Sequence, residues 1–342
     1  MSILFKSGGA LTTVQDLGRQ GWQQYGVPLA GAVDQRSLRL ANVLVGNPES
    51  EAGIETTFIG PIIEFREGNV FAVTGGDLGA ELNGRPIERY KAIAAHKGDV
   101  LSFRGMKDNG SRAYIAFAGG LAITPVMGSK STYLRSSFGG LDGRKLRTGD
   151  EIKFQAPVAN LPDLDSRRTE PETFPAGEVT VRAVRGPQSS AFTERGIKTF
   201  FTSAYRITNE FDRMGVRLEG EKVEHVKDGN MISDGIVSGS VQIPTNGLPI
   251  IMLSDHQTTG GYTKIVTVVS VDIPLIAQSR PGCTVRFKEV DVTTAQQLFI
   301  DEKNYVERCR ASFGKRPPTD KARTLSIRVN GKQYMVQIEE II

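Results

Sequence analysis

Residues 248–271 read LPIIMLSDHQTTGGYTKIVTVVSV, and the account given of their polar centre decides the fold. The flanking runs IIMLS (250–254) and KIVTVVS (264–270) are rich in β-branched residues and have the length of buried strands. Between them stand a His, several hydroxyls, a Lys and two adjacent glycines. A turn uses the glycines for close backbone approach or positive φ, but it has no need of Gln257, Tyr262 and Lys264 as well. The stretch is therefore expected to be a polar loop carried by two core strands. His256 is one of only three histidines, and an imidazole beside Asp255, Thr258, Thr259, Tyr262 and Lys264 can move a proton and stabilise negative charge. The plainer account is a solvated turn in which Asp, Thr and Gly serve geometry alone.

Further runs of the same kind punctuate the chain: VFAVTG (70–75), DVLSF (99–103), AYIAFAG (113–119), VTVRAVRG (179–186) and CTVRFKEV (283–290). Scattered Gly and Pro between them predict many strands and tight turns. Helices are fewer. DQRSLRLANVLVG (34–46) has Asp34 as N-cap and a Gly-Asn-Pro stop, and TTAQQLFIDEKNYVERC (293–309) opens with Thr293 and Gln296 at capping-box spacing. The acidic, Pro-rich segment 155–178 is the best domain boundary. The expectation is a mainly β protein with few short helices: one β domain over 1–155, a second over 175–290, and a helix, linker and terminal hairpin over 291–342. Closed barrels are favoured over open sandwiches because so many strands would otherwise leave free edges. TLSIRVNGKQYMVQIEEII (324–342) alternates on both sides of Asn330-Gly331, a hairpin signal.

Composition narrows the function. Lys+Arg exceed Asp+Glu by 42 against 38 without clustering in the body of the chain, and no aromatic platforms interleave with Arg, which argues against nucleic acid. No run is long and apolar enough to span a bilayer, MSILFKSGG lacks an export signal's apolar core, and the two cysteines form no C-x-x-C pair. A cytoplasmic protein is expected. His96, His225 and His256 share no metal-ligand spacing, there is no G-x-S-x-G elbow, and no G-x-G-x-x-G follows a strand.

Three further stretches offer site residues. In TTVQDLGRQGWQQYGVPLAGAVD (12–34), Asp16 and Arg19 can brace each other, and Arg19 presents a planar fork for a carboxylate, ureido carbonyl or phosphate. A loop-fixing salt bridge is the plain alternative. NEFDRMGVRLEG (209–220) places Asp212 and Arg213 in a site wall or at a charged strand corner. GGLAITPVMGSKSTYLRSSFGG (119–140) contains Lys130 and Arg135 but fails as a phosphate loop, since Ser129 stands where Gly must precede Lys.

Taken in order, TTVQDLGRQGWQQYGVP (12–28), GAVDQRSLRLANVLVGNPESEAGIETTFIGP (31–61), FAGGL (117–121), GSKSTYLRSSFGGLDGRKLRTGD (128–150), RGPQ (185–188), DRMGVRLEG (212–220) and SDHQTTGGYTKIVTVVSVD (254–272) resemble the biotin-dependent carboxyltransferase-like family, also called allophanate hydrolase subunit 2. The resemblance covers about residues 3–290. It implies two cyclophilin-like β-barrel domains. It also implies membership of one of three functional groups: the C subunit of an ATP-dependent 5-oxoprolinase, working with the A and B subunits to open 5-oxo-L-proline to L-glutamate; a carboxyltransferase acting on urea or another amide-like acceptor; or a binding partner of a sporulation-kinase inhibitor. Two positions depart from the family's habit, Phe211 where Ser often precedes the Asp-Arg-Met-Gly motif and Thr263 where Pro often follows Gly-Gly-Tyr. RVNGKQYMVQIEE (328–340) looks like the first strands of a biotinyl carrier, but no A-M-K-M segment follows. Under the first reading the chain itself binds no cofactor and the complex uses ATP; under the second, biotin arrives on a separate carrier.

The residues expected to carry the chemistry are Asp16, Arg19, His256 and Lys264, with Arg135, Asp212, Arg213, Gln257, Thr258, Thr259 and Tyr262 holding a small amide or lactam substrate. Arg19 and Lys264 would hold negative oxygens while His256 or Asp16 relays a proton. No metal is expected.

Overall fold

A computed structural model describes residues 1–313 and, as backbone, 323–329 and 332–338. Alternation within single strands explains the layering of the first half. In the strand Asn69–Gly75, Phe71 and Val73 face one core while Val70 and Ala72 face another. The first core lies between two sheets. One runs edge to edge through Glu151–Lys153, Ser2–Ser7, Ile62–Phe65, Val100–Phe103, Ala80–Leu82 and Arg85–Pro86; the other through Leu11–Gln15, Gly53–Thr57, Arg112–Phe117, Asn69–Gly75 and Ala92–Ala95. Phe5, Phe65, Phe71 and Phe117 fill the space between them.

The second core lies on the outer face of the five-stranded sheet, under α1 (Gln35–Leu44). Asp34 caps this helix as expected, accepting from the Ser37 N–H at 2.9 Å. The same core receives the far end of α4, which follows α2 (Glu194–Thr202) and α3 (Ile273–Gln278) and spans Val292–Ser312. Asp291, two residues before the expected Thr293, caps α4 by accepting from Thr294 N–H at 2.7 Å. On α4, Val306 and Cys309 are buried, whereas Phe299 stays exposed.

The second half forms an eight-stranded sheet ordered Glu178–Arg185, Thr284–Glu289, Tyr205–Phe211, Gly215–Glu219, Ile250–Met252, Ser240–Ile243, Thr259–Val268 and Asn230–Gly235. The first pair is parallel, and Glu178–Arg185 also pairs with Thr259–Val268.

The expected pair of cyclophilin-like β-barrels is thereby corrected to a mixed α/β fold. The strands of the first half divide between two sheets that share no ladder, and α1 and α4 take the face that a second barrel wall would need. Turn signals located the strands, but long-range pairing decided their closure. The strands Arg323–Val329 and Lys332–Ile338 pair antiparallel with Val329 opposite Lys332, while the expected Asn330-Gly331 turn lies outside the described residues. No helix among the described residues is long and apolar enough to cross a membrane.

Candidate active site between the two halves

The strand around the opening stretch is longer than its sequence implies. Thr259–Val268 is one continuous strand, so only 253–258 turn. Neither Gly260 nor Gly261 has positive φ. A Cβ at Gly260 would meet the ends of the Ile236 and Gln242 side chains, which would have to shift to make room.

Beside this strand a cleft of about 590 Å³ opens between the halves. Its lining joins apolar Phe211, Met214, Ile250 and Met252 to polar Arg135, Asp212, Gln242, Gln257 and Tyr262. Arg135 reaches across from the first half, its Nη1 lying 2.6 Å from Met214 Sδ. Asp212 shapes the wall by accepting from the backbone N–H groups of Met214 and Gly215. Thr258 and Thr259 belong to the turn and strand start but do not line the cleft.

Beside this lining lies a buried ionic junction. Arg213 donates through Nε and Nη2 to both oxygens of Asp255 at 3.0 Å, through Nη1 to Glu55, and through Nη2 to the Gly31 carbonyl at 2.6 Å. Glu55 also accepts from Tyr114 and from the Val33 N–H. Burial works against ionised Glu55, but the Arg213 and Arg112 guanidiniums outweigh it and hold its pKa below the usual range. Burial raises the Asp255 carboxyl despite Arg213. Arg213 is thus a clamp between the halves, and it does not face the cleft.

His256 sits next to this junction, 1% exposed. Its Nδ1 is 2.6 Å from the Gln257 carbonyl, which fixes Nδ1 as the protonated nitrogen and leaves Nε2 as an acceptor. Nε2 has no partner, and burial pushes the imidazole pKa down, so the ring is neutral with a free lone pair. The other two histidines lie elsewhere: His96 is exposed beside Asp99, and His225 bonds the Ile243 carbonyl and Thr263.

Arg19 and Asp16 are both buried, but they are not a salt bridge. Asp16 accepts from the Ser129 and Ser131 hydroxyls and from the Gly18 and Lys130 N–H groups, so it organises the 129–131 loop. The same bonds show Lys130 and Ser131 working within the fold. Arg19 Nη2 donates to the Ser131 carbonyl at 2.5 Å, and Phe138 lies under the guanidinium. Lys264 is drawn away from His256, its Nζ bonding Asp234 at 2.6 Å and the Gly235 carbonyl at 2.7 Å. The sequence reading missed Glu55 and Gln242, which bear no signature until distant segments meet, while Met214 belongs to the segment expected as a site wall. Among the described residues no cluster of His, Cys, Asp and Glu could hold a metal.

The cleft thus joins polar groups to apolar ones, and His256, which does not itself line it, is the chain neighbour of the cleft-lining Gln257. The carboxyltransferase domain family, subdomains A and B, matches residues 25–289, and the chain belongs to that family. It is 34% identical over 303 residues to the C subunit of 5-oxoprolinase from Escherichia coli K12, covering 87% of this chain and 94% of that protein. It is also 34% identical over 313 residues to the urea amidolyase of Lachancea kluyveri, covering 85% of this chain but 17% of that much longer protein. The crystal structure of the K. lactis urea amidolyase superposes with a TM-score of 0.83 at 29% identity over 90% of this chain and 20% of that one.

Proposed function

We propose that the chain transfers a carboxyl group from a carrier-borne donor to the nitrogen of a small amide-like acceptor. The observation that supports this most is the buried Nε2 of neutral His256, which has no partner among the described residues and stands in sequence directly before the cleft-lining Gln257. Nε2 takes the proton of the acceptor nitrogen as that nitrogen bonds to the carboxyl carbon. The carbon–nitrogen bond to the donor breaks, and the same proton returns to the donor nitrogen. The Gln257 carbonyl holds the ring in the tautomer this requires.

The lining fits biotin as the carried group: Met214, Ile250 and Met252 offer apolar contact, and Gln242 and Gln257 offer amides for a ureido edge. Biotin, when bound, supplies the activated carboxyl group. Gln242, Gln257 and Tyr262 orient the planar acceptor against it, while the Met side chains exclude water.

A second reading is favoured by a separate observation. The chain covers 94% of two curated relatives, from Escherichia coli and Haemophilus influenzae, both named as the C subunit of 5-oxoprolinase. In that reading the chain acts with the A and B subunits, the complex uses ATP, and His256 moves the proton of a ring amide.

Reconstitution of this chain with its candidate carrier and partner subunits separates the two. Acceptor consumption that needs carrier-biotin and bicarbonate supports carboxyl transfer; glutamate made from 5-oxoproline with ATP and without biotin supports the second reading. In either assay His256→Ala should lower turnover by about 100-fold or more while melting remains cooperative. Normal turnover by the folded variant removes His256 from the chemistry.

A further inference from the structure

A guanidinium carries five N–H donors on a rigid plane. Arg19 is fully buried, the Ser131 carbonyl takes one donor from its Nη2, and neither Nε nor Nη1 has a partner. Of the two Nη2 hydrogens, one points along the edge shared with Nε and the other along the edge shared with Nη1. Whichever one Ser131 receives, a complete two-pronged edge stays unpaired among the described residues, although it is closed to solvent. Phe138, 4.7 Å from the guanidinium carbon, covers one flat face and fixes the plane.

Among the described residues no carboxylate closes that edge. Asp16 spends its oxygens on two serines and two backbone N–H groups, and Asp255 gives both of its oxygens to Arg213. The turn that carries Phe138 also carries Arg135, which meets Met214 at the cleft. Arg19 is therefore linked to the cleft through this turn, by Phe138, which covers it, and Arg135, which lines the cleft.

We infer that the open edge of Arg19 receives the carboxylate of a bound ligand, so that the site takes a small amide together with a planar carboxylate. The inference rests on the proposed function only in placing the ligand at this junction. A carboxylate sets two coplanar oxygens against two parallel N–H groups and neutralises a buried cation. A neutral carbonyl offers one oxygen and leaves the charge uncompensated. The carboxylate has two possible sources, a permanent acid group on the amide or the carboxyl group in transfer.

The test is calorimetric titration of the full chain, without ATP, carrier or partner, using matched probes: 5-oxoproline against 2-pyrrolidinone, acetate against acetamide, and inorganic phosphate. Each acid should bind about tenfold or more tightly than its neutral twin. Stronger binding of 5-oxoproline than acetate identifies an acid group on the amide; equal binding identifies the carboxyl group in transfer. Arg19→Gln should bring each pair within about twofold, and Arg19→Lys, which keeps charge without the fork, should fall between. Equal binding of the twins to the wild type overturns the inference whatever the variants do, as does phosphate binding that matches the acids. Because no turnover is measured, this result is independent of which reaction the chain performs.

Discussion

Arg213 and Arg19 occupy the same buried junction and differ in how their donors are used. Arg213 has a partner on each of its three nitrogens, from Asp255, Glu55 and the Gly31 carbonyl, which come from both halves of the chain. Arg19 has one carbonyl and an aromatic face. A buried cation with every nitrogen answered by the fold belongs to the architecture; one with two nitrogens unanswered is prepared for something the described residues do not supply.

The largest expected effect separates the two directly. Arg213→Met strands Glu55 and Asp255 as buried carboxylates without their cation and should cost about 3–5 kcal/mol in urea unfolding. Arg19→Met removes one bonded carbonyl contact and strands no carboxylate, so its cost should be about 1 kcal/mol. Equal losses would break the distinction between clamp and fork.

A pH series sharpens the clamp further. The pKa of Glu55 is held below its ordinary 4.5. The stability it contributes is fully present above about pH 4.5 and is lost as pH falls through the lower folded value. Asp255, whose carboxyl is raised, acts with the opposite sign. The stability gap between wild type and Glu55→Gln, followed by thermal melting from about pH 6 to about pH 3, should therefore narrow on acidification. A gap that stays constant or widens would show that the Glu55 carboxylate does not carry the clamp.

Much of the local structure was legible in the sequence because it depends on near neighbours. Asp34 caps α1 through a residue three positions on, and β-branched runs between Gly and Pro become strands wherever they were expected. Closure was not legible, since it depends on which strands pair and on α1 covering a sheet face that a barrel would have filled. The site was legible in part. The importance of 254–264 and the candidacy of His256 came from an excess of chemistry over turn geometry. The role of Arg213 did not, because Glu55 and Gly31 lie 158 and 182 residues away in sequence. Asp16 and Arg19 looked like partners from spacing alone, yet nearby serines claim the Asp16 oxygens.

Lys264 gives the smallest and most discriminating prediction, since its residue type and position beside His256 first made it a candidate to hold negative oxygen. Its Nζ instead ties the edge strand Asn230–Gly235 to Thr259–Val268 through Asp234 and the Gly235 carbonyl. The Lys264 contact holds the Asp234 carboxyl below its ordinary pKa, but Asp234 is exposed and water replaces the cation when it is removed. Lys264→Met should loosen that edge, seen as faster proteolysis within 226–237. The preference of acids over their neutral twins should stay within about twofold of wild type, because Lys264 and Arg19 share no partner. If acid binding fell as far in Lys264→Met as in Arg19→Gln, the anion site would extend to this strand and Arg19 would not be its principal donor.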